Sequence, residues 1–235
     1  MNIAIGTLSR MIVAAACAAA LAPTRAAIVE PFAGGQLSAP GWSTGIGSDA
    51  SAFLSTPAPD GSFGIYLTDA TWSYNTSIAF TAGETLSAWI NPGPGPSSGG
   101  QGGRLYLGFA ASSTDAYSFV AASDESVIGF QNNAGYLTPA FGASAAQDYA
   151  DQWYLMTIAR SIDGTSATAR LYDTDGSTLL NSVTETGLTS TATGIALRGT
   201  GGAAITTISV VPEPASYGLM MAGLLVLGLK ARRRT

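Results

Sequence analysis

The sequence predicts an all-β domain built from many short strands, either a sandwich or a barrel, and three observations carry that prediction. Runs of strand length, alternating or continuously apolar, recur along the middle of the chain. Turn signals separate them, among them Pro57-Ala58-Pro59-Asp60-Gly61, Asp163-Gly164, Asp175-Gly176 and Gly201-Gly202. No segment sustains a helical period. The composition agrees: Gly, Ser, Thr and Ala abound, and charged residues are only 11% of the 235, which argues against a helical bundle or a charged, disordered chain.

In chain order, strands are expected near Phe63–Leu67, Thr71–Phe80, Glu84–Ile90, Arg104–Ala110, Ala116–Ala122, Val127–Gln131, Gln152–Arg160, Ser166–Asp173, Thr178–Val183, Gly194–Arg198 and Ala204–Val211. The stretch from Asn91 to Gly103 is almost entirely Pro, Gly and Ser and admits no regular element. It is expected as an exposed, poorly ordered loop. It lacks the Lys and following helix of a phosphate-binding glycine loop. Alternation sends Trp153, Leu155 and Thr157 to one face of their strand and Tyr154, Met156 and Ile158 to the other. Both faces are largely apolar, so this strand is expected in the interior, with Trp89, Trp153, Leu155 and Leu171 facing the core.

Charge and rare residues exclude several classes of function. Six of the ten basic residues lie near the ends, leaving Arg104, Arg160, Arg170 and Arg198 against fourteen carboxylates between residues 27 and 211, a net charge of −10. Such a domain does not bind nucleic acid. There is no His, and the single Cys is Cys17. His–metal sites, Ser–His and Cys–His catalysis, haem ligation and disulfides are therefore excluded for the domain.

Both ends read as targeting segments. Met11 to Leu21 is a short apolar run after Arg10, followed by small residues, as in a secretory signal peptide. Cleavage after Ala26, with Thr24 at −3, avoids the Pro23 that cleavage after Ala22 would leave at +1. At the other end Ala215 to Leu229 is apolar or small throughout. A helix of that length spans about 22 Å of a hydrocarbon core about 30 Å thick. Snorkelling by Lys230 and the arginines beyond it lengthens the span, and these charges should stay cytoplasmic, with the acidic domain on the far side. The expected domains are a signal peptide (1–26), a β domain (27–211) and a sorting segment (212–235) with a membrane helix over 215–229.

Pro212-Glu213-Pro214, then the apolar run, then Lys230-Ala231-Arg232-Arg233-Arg234, resembles the PEP-CTERM sorting signal of Gram-negative, exopolysaccharide-producing bacteria. The resemblance implies that Pro212, Glu213 and Pro214 are recognised by an exosortase-type membrane protease, and that Lys230, Arg232, Arg233 and Arg234 form the cytoplasmic stop. It implies passage through the inner membrane and delivery to the cell surface or beyond. Two prolines also keep the tripeptide extended and unpaired.

Within the domain, Glu84-Thr-Leu-Ser-Ala-Trp-Ile90 resembles the sheet-centre strand of concanavalin-like and laminin-G-like domains. Gln152-Trp-Tyr-Leu-Met-Thr-Ile-Ala-Arg160, Asp163-Gly164 and Ala167–Asp173 resemble a strand and hairpin of the same folds. The resemblance implies an antiparallel two-sheet jelly-roll sandwich. Glycanases on this fold need two carboxylates about 5–5.5 Å apart, and no such motif occurs. Asp124-Glu125 is adjacent and so splits across a strand. Asp173-x-Asp175-Gly176 has the opening of a calcium loop but not its later ligands, and a type I′ hairpin turn accounts for it better. No cofactor is required; calcium stays open and no metal ligand is assigned. Trp42 and Trp72, in Gly/Ser/Thr-rich surroundings, are the candidates for exposed sugar-stacking rings. The leading expectation is a non-enzymatic surface or matrix protein associated with exopolysaccharide. A carbohydrate-binding module is the alternative, and a glycan-active enzyme comes third.

Overall fold

A computed structural model describes residues 26–44, 57–95, 102–125, 127–139, 149 and 151–212, with backbone alone for 44 and 68–70. Residues Ala27–Val211 form one compact unit of twelve strands, and the described residues contain no helix. The strands are β1 (Ala27–Glu30), β2 (Trp42–Thr44), β3 (Gly64–Asn75), β4 (Glu84–Asn91), β5 (Arg104–Ala111) and β6 (Asp115–Ala122). They continue with β7 (Gly129–Ala134), β8 (Tyr154–Arg160), β9 (Ser166–Tyr172), β10 (Leu179–Thr186), β11 (Gly194–Thr206) and β12 (Ile208–Pro212).

The strands run β10-β9-β8-β4-β11-β5-β6-β7 through antiparallel ladders, with β3 along β11, β2 on β3, and β12 between β4 and β1. Two layers arise because β11 belongs to both. Its first half pairs β5 from Gly194 to Thr200, and its end pairs β4 at Ala204 and Ile205. Between them the register slips twice across Gly199–Gly202, where Gly201 and Gly202 have φ of 63° and 82°. The glycine pair expected as a turn is thus a bend inside one strand, the device by which a jelly roll turns a corner.

The core lies between the layers. Leu86, Ala88 and Ile90 of β4, Met156 and Ile158 of β8, and Leu171 of β9 meet Leu105, Leu107 and Phe109 of β5 and Phe119 of β6. Phe109 stacks on Phe119 at 5.7 Å and 11°. The architecture is the expected antiparallel jelly-roll sandwich.

Several details differ from expectation. The first two expected strands are one, β3, ended at Asn75, whose Oδ1 accepts from Ser77 N and Ile78 N. Leu171 faces the core, but Trp89, Trp153 and Leu155 are only half-buried, and Tyr154, Met156 and Ile158 take the inward positions of β8. Where both faces are apolar, alternation says which residues share a side and not which side is in. Trp89, Leu155, Tyr172 and Leu179 instead form a cross-strand row on the outer face. The Asp173–Thr178 turn folds over this row, and a Cβ on Gly176 would sit 3.2 Å from the Trp89 ring. The strand buried on both faces is β5, not β8. The ends of the Asn91–Gly103 loop are also buried: Gly103 N donates to Pro94 O, and Asn91 Oδ1 accepts from Gly93 N. Its tip, 96–101, lies outside the described residues.

Candidate functional site

The two ends of the domain leave it side by side. In the β1–β12 ladder Ala27 lies opposite Val210 and Ile28 opposite Ser209. At the end of this ladder, opposite Ile208, Glu30 is fully buried and gathers the chain that follows. Its Oε1 accepts from Phe32 N (2.7 Å) and Ser38 Oγ (2.6 Å), and its Oε2 from Ala39 N (2.9 Å) and Trp42 Nε1 (2.6 Å). Trp42 is therefore half-buried and tied by its indole nitrogen, not a free ring on the surface. Pro212 closes β12. Glu213, Pro214, Lys230, Arg232, Arg233 and Arg234 lie outside the described residues, as do the expected signal peptide before Ala26 and the expected membrane helix over 215–229.

Trp72 leads to a second cluster, on the outer face of the β3-β11-β5-β6-β7 layer. Alternation puts Trp72 and Tyr74 of β3 on that face, beside Arg198 and Ala196 of β11 and Tyr106 and Gly108 of β5. The second row continues through Ser118 of β6 to Gln131 of β7. Small buried residues (Ala196, Gly108, Ser118) thus lie between Tyr74 and Gln131 along this row. Trp72 meets Tyr106 edge-on at 5.6 Å, and the Arg198 guanidinium lies 4.7 Å over the Tyr106 ring.

The chain after β7 turns back over this face. Tyr136 stacks on Tyr74 at 5.2 Å and 14°, tilts against Trp72 at 5.5 Å, and donates its hydroxyl to Ser112 O at 2.7 Å. Burial, with smaller contributions from Tyr74 and Asp115, pushes its pKa well above the ordinary tyrosine value. Gln131 and Asn133 hold the returning segment through Pro139 O and Leu137 O, and Ser118 Oγ donates to Asn133 Oδ1. Tyr136 has φ 55°, a left-handed conformation that costs a bulky residue about 1–3 kcal/mol. Trp72 is consequently only 6% exposed, against the expectation of an open ring. Its Nε1 is buried and has no hydrogen-bond partner among the described residues.

The Asp-Gly turns spend their carboxylates locally. Asp175 accepts from Ser177 N, Thr178 N and Thr178 Oγ1, bonds that hold its pKa well below the usual carboxylate range. Gly176 N donates to Asp173 O and Gly176 has φ 66°, while Asp175 keeps a negative φ. This is a type I turn followed by a left-handed glycine, not the expected type I′ turn. Asp124, one of the adjacent carboxylates, is buried in an ion pair with Arg104 at 3.4 Å. Among the described residues no group of three or more His, Cys, Asp or Glu could hold a metal ion.

Fold and site together define an antiparallel jelly-roll sandwich with an aromatic and amide-rich outer face, followed directly by a sorting segment. Residues 210–234 match the PEP-CTERM protein-sorting motif, so the match starts inside β12. No curated protein matches the chain at a significant level. Among solved structures it is similar to the exoplasmic/lumenal domain of VIP36 in its Ca2+-bound form (17% identity, TM-score 0.49, 79% of this chain and 89% of that one). It is also similar to carbohydrate-binding module CBM66 from Bacillus subtilis (14%, 0.46, 71% and 91%). A third likeness is to the Caenorhabditis elegans galectin LEC-6 (15%, 0.39, 56% and 84%). At such identities no binding residue is carried across.

Tyr74, Tyr106, Tyr136, Arg198, Gln131 and Asn133 join Trp72 without having been singled out by sequence. The two-residue spacing of Trp72 and Tyr74 was the readable signal, since it puts both rings on one face of a strand.

Proposed function

We propose that this chain is an exported, non-enzymatic protein that its PEP-CTERM tail delivers to the cell surface, where the sandwich binds polysaccharide through the aromatic face around Trp72. Signal peptidase cuts after Ala26, and an exosortase-type protease in the inner membrane reads Pro212-Glu213-Pro214, with Lys230 and Arg232–Arg234 as the stop. The observation that carries the glycan reading is the Trp72 indole N–H, buried among aromatics with no acceptor among the described residues. A donor left in that state costs about 1–3 kcal/mol, which an acceptor brought by a ligand would recover.

A sugar hydroxyl that displaced Tyr136 would accept this bond and relieve the strain at Tyr136. With Tyr136 displaced, Tyr74 supplies flat apolar surface for the C–H face of a pyranose, and Arg198, over the buried Tyr106 ring, a donor at the edge. This observation favours the binding module over a matrix protein without a ligand. The test is a glycan array probed with the purified full chain, with calcium and with EDTA, followed by titration of the best ligand. Arg198→Ala should weaken binding about tenfold, about 1.4 kcal/mol. An array without a single ligand, or an Arg198→Ala protein that binds as wild type does, would overturn the reading.

A further inference from the structure

The β3–β4, β8–β9 and β10–β11 connections meet around an open pocket of about 370 Å³ that shares no residue with the aromatic face. Arg160, the last residue of β8, lines it and is only 4% exposed. Alternation explains its burial: Arg160 points the same way as Tyr154, Met156 and Ile158, and the layers close over it. Its Nη1 donates to Phe80 O (2.9 Å) and Ala192 O (3.3 Å), and its charge lies 5.9 Å from the Phe80 ring centre. Its Nε is buried with no acceptor among the described residues. Among the described residues no carboxylate stands within ion-pair distance of it; the pair found there joins Arg104 to Asp124.

One carboxylate shares the pocket with this arginine and another acts on it through its field, and both accept hydrogen bonds from other groups. Asp163, on the pocket wall, accepts from Ser161 Oγ (2.6 Å) and Thr165 N (3.0 Å). Glu84, whose field favours the charged arginine, accepts from Thr81 N. A desolvated guanidinium with an unused donor is costly unless an anion completes it. The rest of the lining is rich in hydroxyls, Thr165, Thr189, Thr191 and Thr193 among them.

We infer that this pocket binds an acidic saccharide, with the sugar carboxylate on the fork of Arg160 and the ring hydroxyls on the threonines and Asp163. A guanidinium presents donors in the plane that a carboxylate needs, and one carboxylate beside several hydroxyls is the pattern of a uronate. Diffuse attraction is not the source of the binding. The domain's net charge of −10 repels a polyanion at long range, so affinity must come from this pocket. The aromatic face and this pocket each stand without the other.

The test is calorimetric titration of the purified full chain with a glucuronic acid oligosaccharide, its neutral glucose counterpart, and sodium sulfate. The glucuronate ligand should bind at least tenfold more tightly than either of the others. Thr191→Trp, a change at an exposed position on the pocket wall, should abolish that binding and leave the melting temperature unchanged. Arg160→Lys, which keeps charge but not the planar fork, should lose tenfold or more. If that variant does not fold, Thr191→Trp decides. Equal binding of the two sugars, sulfate binding as tight as glucuronate, no glucuronate binding, or an unaffected Thr191→Trp protein would each overturn the inference.

Discussion

Replacing Glu30 by glutamine keeps the size of the side chain and removes one acceptor oxygen. In the native protein the two oxygens serve Phe32 N, Ser38 N, Ser38 Oγ, Ala39 N and Trp42 Nε1. A glutamine must set its NH2 in one of the two oxygen positions. At Oε2 it faces the Ala39 and Trp42 donors, and both lose their acceptor. At Oε1 it faces Phe32 N, and only the Ser38 hydroxyl can reverse to accept. The remaining bonds also weaken from charge-assisted to neutral, so the loss is about 2–4 kcal/mol. In a domain of this size each kcal/mol lowers Tm by about 2–4 °C, which makes the expected fall about 5–15 °C. Circular dichroism melting of wild-type and Glu30→Gln protein measures it, and Trp42 fluorescence should change with it. A shift below about 2 °C would refute the view that Glu30 fastens the segment leading to β2.

Other outcomes follow from the same geometry. Gly176→Ala forces a side chain to φ 66° and places it 3.2 Å from Trp89, so it should cost about 1–3 kcal/mol in urea unfolding; an unchanged midpoint would contradict the packing of that turn. N-terminal sequencing of the exported protein should begin at Ala27, and a mature form that still starts at Met1 would contradict export by signal-peptide cleavage. In a host with exosortase, Glu213→Ala should alter tail trimming, read by mass spectrometry, or surface delivery; wild-type behaviour would remove the recognition role of the tripeptide.

The strand-forming segments were legible because their alternation and their Gly- and Pro-bearing turns are local. Glu84–Asn91, Arg104–Ala111 and Ser166–Tyr172 lie within a residue or two of their expected bounds. Which face of a strand turns inward is a long-range fact. β8 is largely apolar on both sides, and the choice there was made by the whole opposing layer, with Phe109 and Phe119 at its centre. Strands β1 and β2 had little local signal, because their partners, β12 and β3, come from distant parts of the chain. At the aromatic face one residue in the sequence, Trp72, marked the place. The rings around it come from β3, β5 and the segment after β7, and only the fold brings them together. Arg160 could be read as the end of a strand, but not as a buried cation at the floor of a pocket.

The indole N–H resonance of Trp72 reports whether a glycan docks on this face. The chain has four tryptophans, so single Trp→Phe variants assign every indole peak in a 15N-labelled sample. The purified protein is titrated with the exopolysaccharide of its host or with the best array ligand. The Trp72 peak should move downfield to saturation as its N–H gains an acceptor, while the peaks of Trp42, Trp89 and Trp153 stay in place. Saturable glycan binding with a stationary Trp72 peak would contradict it.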